Sequence, residues 1–187
     1  MTLTSLAVGL DLSLTAAGVA SFEAFDDGPA IGTAQTFGRK GKKGEPLFTR
    51  VSRIQQLHDQ IIKRAFSFER LPDIVFIESP AQGQTTGSHH DRSWLWGKVV
   101  DTLLDESIPV VEVTPQKAKK YATGKGNAGK PAVMAAMIRR HLDIEIEDDN
   151  QSDALALAAM ASRFRGYPVE EKISKLCLEA MDGIEIG

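Results

Sequence analysis

Four acidic residues stand in this sequence where apolar packing would otherwise be expected. Asp11 interrupts the run Leu6 to Leu14, in which Val8, Leu10, Leu12 and Leu14 alternate with Ala7, Gly9, Asp11 and Ser13. It shares a face with Gly9 and Ser13, which are small enough to leave room beside it. Glu78 closes the apolar run IVFIE. Asp149 and Asp153 open a segment rich in Ala and Leu, SDALALAAMA. On a helix, residues four apart lie about 40° apart around the axis, so the two carboxylates share one face. Asp148 would lie about 140° from Asp153. Asn150, three residues before Asp153, offers a neutral oxygen instead. Ionised carboxylates buried together repel, and each is costly to desolvate unless partnered. A hard divalent cation removes that conflict, because Mg²⁺ and Mn²⁺ prefer oxygen ligands. Two such ions about 4 Å apart can clamp the attacking and leaving oxygens of a phosphodiester. Taken singly, an acid in a first helical turn serves as a partner for the helix dipole. Taken together, in this order, the four point to a metal site.

The positive charge has its own places. Thr114 to His141 carries Lys117, Lys119, Lys120, Lys125, Lys130, Arg139 and Arg140, and no acid. A second stretch holds Arg39, Lys40, Lys42 and Lys43, followed by Arg50 and Arg53. The acids gather in Asp143 to Asp153 and after Glu170, and the net charge is only −3. A charge run is commonly just a solvated face. An acid-free stretch with this many cations, set against a separate acidic cluster, suits a phosphate-rich partner and metal chemistry on it.

Elements that would hold these groups can be read from periodicity. Three strands are predicted at Leu6–Leu14, Ala17–Ala24 and Ala30–Phe37, joined closely enough to form an antiparallel meander. A Gly/Lys loop spans Gly38–Pro46. Leu47, Val51, Ile54, Leu57, Ile61 and Ala65 then recur at helical spacing. Asp73–Ser79 reads as a strand covered on both faces. Helix at Asp91–Asp105, strand at Ile108–Val113 and a helix starting at Pro115 follow. Helices are predicted at Pro131–Leu142 and Asp149–Phe164. A last amphipathic helix is predicted over Val169–Met181, with Ile173, Leu176, Ala180 and Met181 on one side. The order predicts an α/β fold: a five-stranded mixed sheet, three antiparallel strands then two parallel, flanked by helices on both faces.

At 187 residues and 42% apolar composition, the chain suits one domain with a real core. No apolar run reaches about eighteen residues, so no membrane-spanning helix is expected. The start of the chain has no basic region preceding an apolar one. The single cysteine, Cys177, excludes a disulfide framework and reads as a small buried hydrophobe. A cytoplasmic location is expected.

Other signals are weaker. GKGNAGKP, residues 124–131, follows the phosphate-loop pattern for seven positions. Its eighth is Pro131, where Ser or Thr would hold Mg²⁺. GLDLSLTAAG is also similar to a phosphate loop of actin-like kinases, whose fold needs two such domains. His89-His90-Asp91 lies in a polar, Gly-rich stretch and reads as solvated. The stretch Ser79–Ser93 follows Glu78 directly and is expected to border a substrate cleft. Trp96 falls with Val99, Val100 and Leu103 and reads as core. Trp94 falls with Gly97, Lys98 and Asp101, a polar face, and two readings stay open for it: an exposed partner surface or core packing.

The chain resembles the RuvC-like Holliday junction resolvases of the ribonuclease H superfamily. The resemblance is carried by GLDLSLTAAGVA (9–20), IVFIESP (74–80), VEVTPQKAKKYATGKGNAGK (111–130) and DDNQSDALALA (148–158). It implies a ribonuclease H-like nuclease domain over residues 1–165, with a C-terminal helix and tail at 166–187. It implies that Asp11, Glu78 and Asp153 are catalytic metal ligands. Asp149 is taken as the fourth, with Asn150 and Asp148 as alternatives. Lys130 would act at the scissile phosphate, and Lys117, Lys119, Lys120, Lys125, Lys130, Arg39, Lys40, Lys42 and Lys43 would bind DNA. The implied cofactor is Mg²⁺ or Mn²⁺, two ions per site. The implied partners are branched DNA and a second copy of the chain, in a bacterial cell or the cytoplasm of a phage host. The implied reaction is hydrolysis of a four-way junction to 5′ phosphate and 3′ hydroxyl ends. Two alternatives stay open: a ribonuclease H-fold nuclease acting on flaps, forks or RNA–DNA hybrids, and a junction-binding protein without catalysis.

Overall fold

The computed structural model of the protein describes residues 1–66, 70–80 and 88–186. Strands β1 (Leu3–Asp11), β2 (Ala17–Phe25) and β3 (Ile31–Phe37) form the meander, and β4 (Ile74–Glu78) and β5 (Val110–Val113) complete the sheet. The strand order is β3-β2-β1-β4-β5. The β1–β2 and β2–β3 pairs are antiparallel, and the β1–β4 and β4–β5 pairs are parallel. This is the mixed sheet expected from the order of elements.

Two helices cover one face of the sheet and three the other. Helix α1 (Leu47–Ala65) and helix α2 (His89–Asp105) close a core made with Val8, Leu10, Val19, Val75 and Ile77. They run side by side in the same direction: Arg50 meets Asp91 near their starts, and His58 bonds Thr102 further along. On the opposite face, α3 (Pro115–Thr123), α4 (Lys130–Arg140) and α5 (Asp149–Phe164) pack on Ala7, Ala20, Phe22, Ile74 and Phe76. Alternation along the strands thus assigns every side chain a face. Gly9 and Asp11 of β1, and Phe76 and Glu78 of β4, point to the α5 side.

Helix α5 is Ala-rich and nearly all buried, which lets it approach the sheet closely. Its approach requires glycine beneath it. A Cβ at Gly9 would lie 2.1 Å from the Ala154 carbonyl oxygen and 2.3 Å from the Ala158 nitrogen. A Cβ at Gly18 would lie 2.1 Å from the Asn150 carbonyl oxygen. The room beside Asp11 that the small Gly9 provides is therefore filled by helix backbone. Asp148 starts the helix: its carboxylate accepts the Gln151 N–H at 2.8 Å and the Thr36 hydroxyl at 2.7 Å.

The end of the chain departs from the expected helix over Val169–Met181. Only α6 (Lys175–Leu178) and a 3₁₀ turn at Glu179–Met181 are helical there. Leu176, assigned to the apolar side, is exposed, and its neighbour Cys177 is buried. The segment before it is tied down by a polar group rather than by an apolar stripe. The Glu170 carboxylate is buried and accepts from the Tyr121 hydroxyl and from Arg163, each at 2.9 Å. Burial and the Glu170 charge hold the Tyr121 phenol well above its usual range. Ala180 and Cys177 then close against the neighbouring elements, and the segment from 166 packs onto the α3–α5 face. Among the described residues, no helix is long and apolar enough to cross a membrane.

Candidate functional site

β1 and β4 end side by side. Their parallel register pairs Leu10 with Ile77, so Asp11 and Glu78 follow on adjacent strands and point to the same face. The C-terminal ends of parallel strands are where open α/β sheets place their ligands. Helix α5 crosses over this edge because Gly9 and Gly18 admit it, and Gly18 is the β2 residue opposite Asp11. That places the first turns of α5, with Asn150 and Asp153, beside the two strand ends.

The result is a pocket of about 340 Å³ whose walls include Asp11, Glu78, Asp153, Asn150, Lys119 and Lys130. The three carboxylates are desolvated and feel one another. Asp11 is pushed up to about 7, by burial first and then by the charge of Asp153, against the pull of Lys130. Glu78 is pushed up to about 8 by burial and then by Asp11 and Asp153. Asp153 rises to about 6, mainly through burial, with Lys130 opposing. Among the described residues, no three His, Cys, Asp or Glu side chains are gathered tightly enough to enclose one ion as they stand. The donor set nonetheless suits a hard cation: several buried carboxyl oxygens whose charges oppose one another.

Asp149, chosen from its spacing as the fourth acid, sits at the pocket's margin. Its carboxylate takes the Lys130 ammonium as partner, and this contact holds it below the usual carboxylate range. Asn150 is the residue of that turn on the pocket wall. Asp148 is occupied as the cap of α5 and by Thr36.

The basic stretch divides. Lys119 and Lys130 reach the pocket. Lys125 is exposed in the linker between α3 and α4. Lys117 donates to the Asp182 carbonyl at 2.8 Å, and Lys120 pairs with Glu179 at 3.0 Å. The acidic C-terminal segment thus holds one face of α3, and those two lysines are not open cations. GKGNAGK is the connection between two helices rather than a strand-to-helix loop, and Lys130 opens α4.

Two pocket residues carried no clear signal in the sequence. His89, read as solvated, lines the pocket from the first turn of α2. Trp96, read as core, is half-buried against the apolar cluster, and its indole N–H donates to the Glu78 carbonyl at 3.1 Å. It braces the end of β4 and forms part of the wall. Of the two readings of Trp94, the exposed one holds. The stretch expected to border the cleft contributes Ser79, Pro80 and Ser93 to the pocket. Its residues 81–87 lie outside the described residues.

The raised carboxyls give a pH signature. In the unfolded chain these groups titrate near 4. The folded, metal-free protein holds their protons to about 6, 7 and 8. Their contribution to stability is therefore complete below about pH 4 and is lost as pH rises through 6 to 8. Scanning calorimetry in EDTA should show Tm falling from pH 5 to pH 9, and Mg²⁺ restoring it at pH 8. A Tm unaffected by Mg²⁺ at pH 8 would contradict this electrostatic reading.

Both the sequence and the fold have counterparts among known proteins. Residues 9–161 match the family model for crossover junction endodeoxyribonuclease RuvC. A relative of that name from Bacteroides fragilis is 32% identical over 124 residues, covering 64% of each chain. One from Porphyromonas gingivalis is 33% identical over 110 residues, covering 57% of each. These matches thus span less than two thirds of either relative's length. Among solved structures, Thermus thermophilus RuvC superposes with a TM-score of 0.64 at 20% identity, over 87% of this chain and 97% of that one. T. thermophilus RuvC in complex with a Holliday junction substrate gives 0.64 at 18% identity, over 88% and 98%. At such identities these structures attest the fold.

Proposed function

Since the chain belongs to the RuvC family of crossover junction endodeoxyribonucleases, we propose that it is a structure-selective endonuclease that resolves four-way DNA junctions by metal-dependent hydrolysis. The observation that carries the reading is the meeting of Asp11, Glu78 and Asp153 in one pocket with Lys119 and Lys130. Asp11, Glu78 and Asp153 would hold Mg²⁺ or Mn²⁺, with Asn150 or Asp149 completing the donors. A pair of such ions held there would supply an activated water and stabilise the leaving 3′ oxygen.

The chain's own groups do the rest. Lys130, tied to Asp149, presents a cation at the pocket mouth that offsets charge developing on the phosphate. Lys119, also on the pocket wall, adds a second cation. Gly18 under Asn150, Gly9 under Ala154 and Ala158, and the Asp148 cap seat the start of α5 on the sheet, and this seating positions Asp153. The nuclease unit of the proposal is residues 1–165, and the segment that follows holds α3 through Lys117 and Lys120. Two opposed cuts in a four-way junction call for two sites related by a two-fold axis, so the proposal includes a homodimer. The exposed stripe of α2 suits that contact: Trp94 and Leu104 flank Gly97, where an added Cβ meets nothing within 4 Å.

The test compares end-labelled four-way junctions, forks, flaps and linear duplexes of matched sequence with Mg²⁺, Mn²⁺ or EDTA. Metal-dependent cleavage confined to the junction is expected. Preference for forks, flaps or hybrids would move the function to a general branched-substrate nuclease on the same site. Tight junction binding without cleavage would identify a binder and point to Asn150 as the place where catalysis was lost.

A further inference from the structure

A second cavity opens next to the carboxylate pocket. It measures about 630 Å³ and lies between the 38–46 loop, the turn after β1 and the first turns of α1 and α2. It shares Ser13 and Arg92 with the walls of the carboxylate pocket, so the two adjoin. Its floor is built. Arg53 is 8% exposed and donates to Glu45 through Nε at 3.2 Å and Nη2 at 2.9 Å. The loop wraps this pair so closely that a Cβ at Gly41 would stand 2.6 Å from Arg53 Nη2. Arg50 faces Asp91 at 3.3 Å. Those pairings use both acids on the wall. Lys40, Lys42 and Lys43 remain at the rim with no acid partner among the described residues. The hydroxyls of Ser13 and Thr15 add polar groups on the side toward Asp11.

We infer that this depression is a second phosphodiester seat, which takes a backbone phosphate of the strand running away from the carboxylate pocket. The inference rests on the nuclease reading above and extends it from one phosphate to two. Its chemistry is that of a nucleic-acid backbone: ammonium groups on a framed loop and hydroxyl groups beside them. The Arg53–Glu45 clamp holds the loop, so the lysines meet the strand at a set distance from the scissile bond. Two anchored phosphates fix the direction of the strand, which one cannot.

The test uses the full chain in EDTA, so that binding is read without cleavage. Fluorescence anisotropy follows a four-way junction and a linear duplex across a salt series. The double variant Lys42→Ala/Lys43→Ala is compared with Lys172→Ala/Lys175→Ala, an equal charge change on the exposed C-terminal segment. The pocket variant should lose about tenfold in affinity at moderate salt, with a slope of log K against log salt shallower by about two. The control should keep the wild-type slope. A wild-type slope in the pocket variant, or an equal loss in the control, would overturn the seat. The two readings fail separately. If the wild type does not prefer junctions but the slope still drops on duplex, the seat stands without the resolvase function. If the wild type cuts junctions and the slope is unchanged, only the seat falls.

Discussion

Asp11→Asn is expected to abolish junction cleavage, by on the order of a thousandfold or more, while leaving junction binding in place. A loss of that size corresponds to about 4 kcal/mol of transition-state stabilisation. The argument is positional. Asp11 ends β1, lies in register with Glu78, and is the group on which the charges of Asp153, Asp149 and Lys130 all act. Asparagine keeps the shape and one oxygen but removes the charge that a divalent cation requires. Binding survives because the lysines that meet the backbone are separate from it. The same change removes a desolvated carboxyl, so the metal-free variant should melt higher than wild type at pH 8 and gain less from Mg²⁺. Single-turnover cleavage beside anisotropy in EDTA checks the first part, and calorimetry the second. Full activity in this variant would remove Asp11 from the site.

Gly9→Ala is expected to destabilise the fold by about 3 kcal/mol or more, at the upper end of overpacking effects. The added carbon would fall 2.1 Å from the Ala154 oxygen and 2.3 Å from the Ala158 nitrogen. Both are backbone atoms of a buried helix, so no side chain can swing aside. Relief requires α5 to lift from β1, and that movement carries Asp153 away from Asp11. Activity should therefore fall even at temperatures where the variant remains folded. Gly97→Ala, at a position with open space around it, should stay within about 1 kcal/mol of wild type or gain slightly. Urea unfolding of both variants makes the comparison. Equal stability of Gly9→Ala and wild type would contradict the close approach.

The sheet and the strand-end acids were legible because their signals are local. Alternation of Val8 and Leu10 with Ala7, Gly9 and Asp11 marks one strand, and the run IVFIE marks another. Both end in the acids that face the pocket. The helices over Leu47–Ala65 and Asp149–Phe164 were legible for the same reason, being long and strongly periodic. What sequence could not show depends on how elements dock. Around the axis of α5, Asp149 and Asn150 lie on opposite sides of Asp153, about 40° and 60° away. Spacing alone favours Asp149. The tilt set by contact with Gly9 and Gly18 brings Asn150 to the pocket and leaves Asp149 to Lys130.

Lys117 and Lys120 read as open cations because their partners, Asp182 and Glu179, lie about sixty residues away in sequence. The end of the chain read as one amphipathic helix because Ile173, Leu176, Ala180 and Met181 keep helical spacing. The fold instead anchors that segment through a buried ionic hub at Glu170, which periodicity does not encode. Trp96, read as core, is only partly so. Its ring packs on the core, and its N–H is spent on the carbonyl of Glu78.

The most direct test of the central claim is the chemistry of the ends produced from a four-way junction by the wild-type chain with Mg²⁺. In-line hydrolysis at two symmetry-related sites leaves paired nicks at matching positions on opposed strands, each with a 5′ phosphate and a 3′ hydroxyl. DNA ligase should then seal both duplex products without gap filling. Unpaired cuts, ends that ligase cannot join, or equal cutting in EDTA would contradict the account.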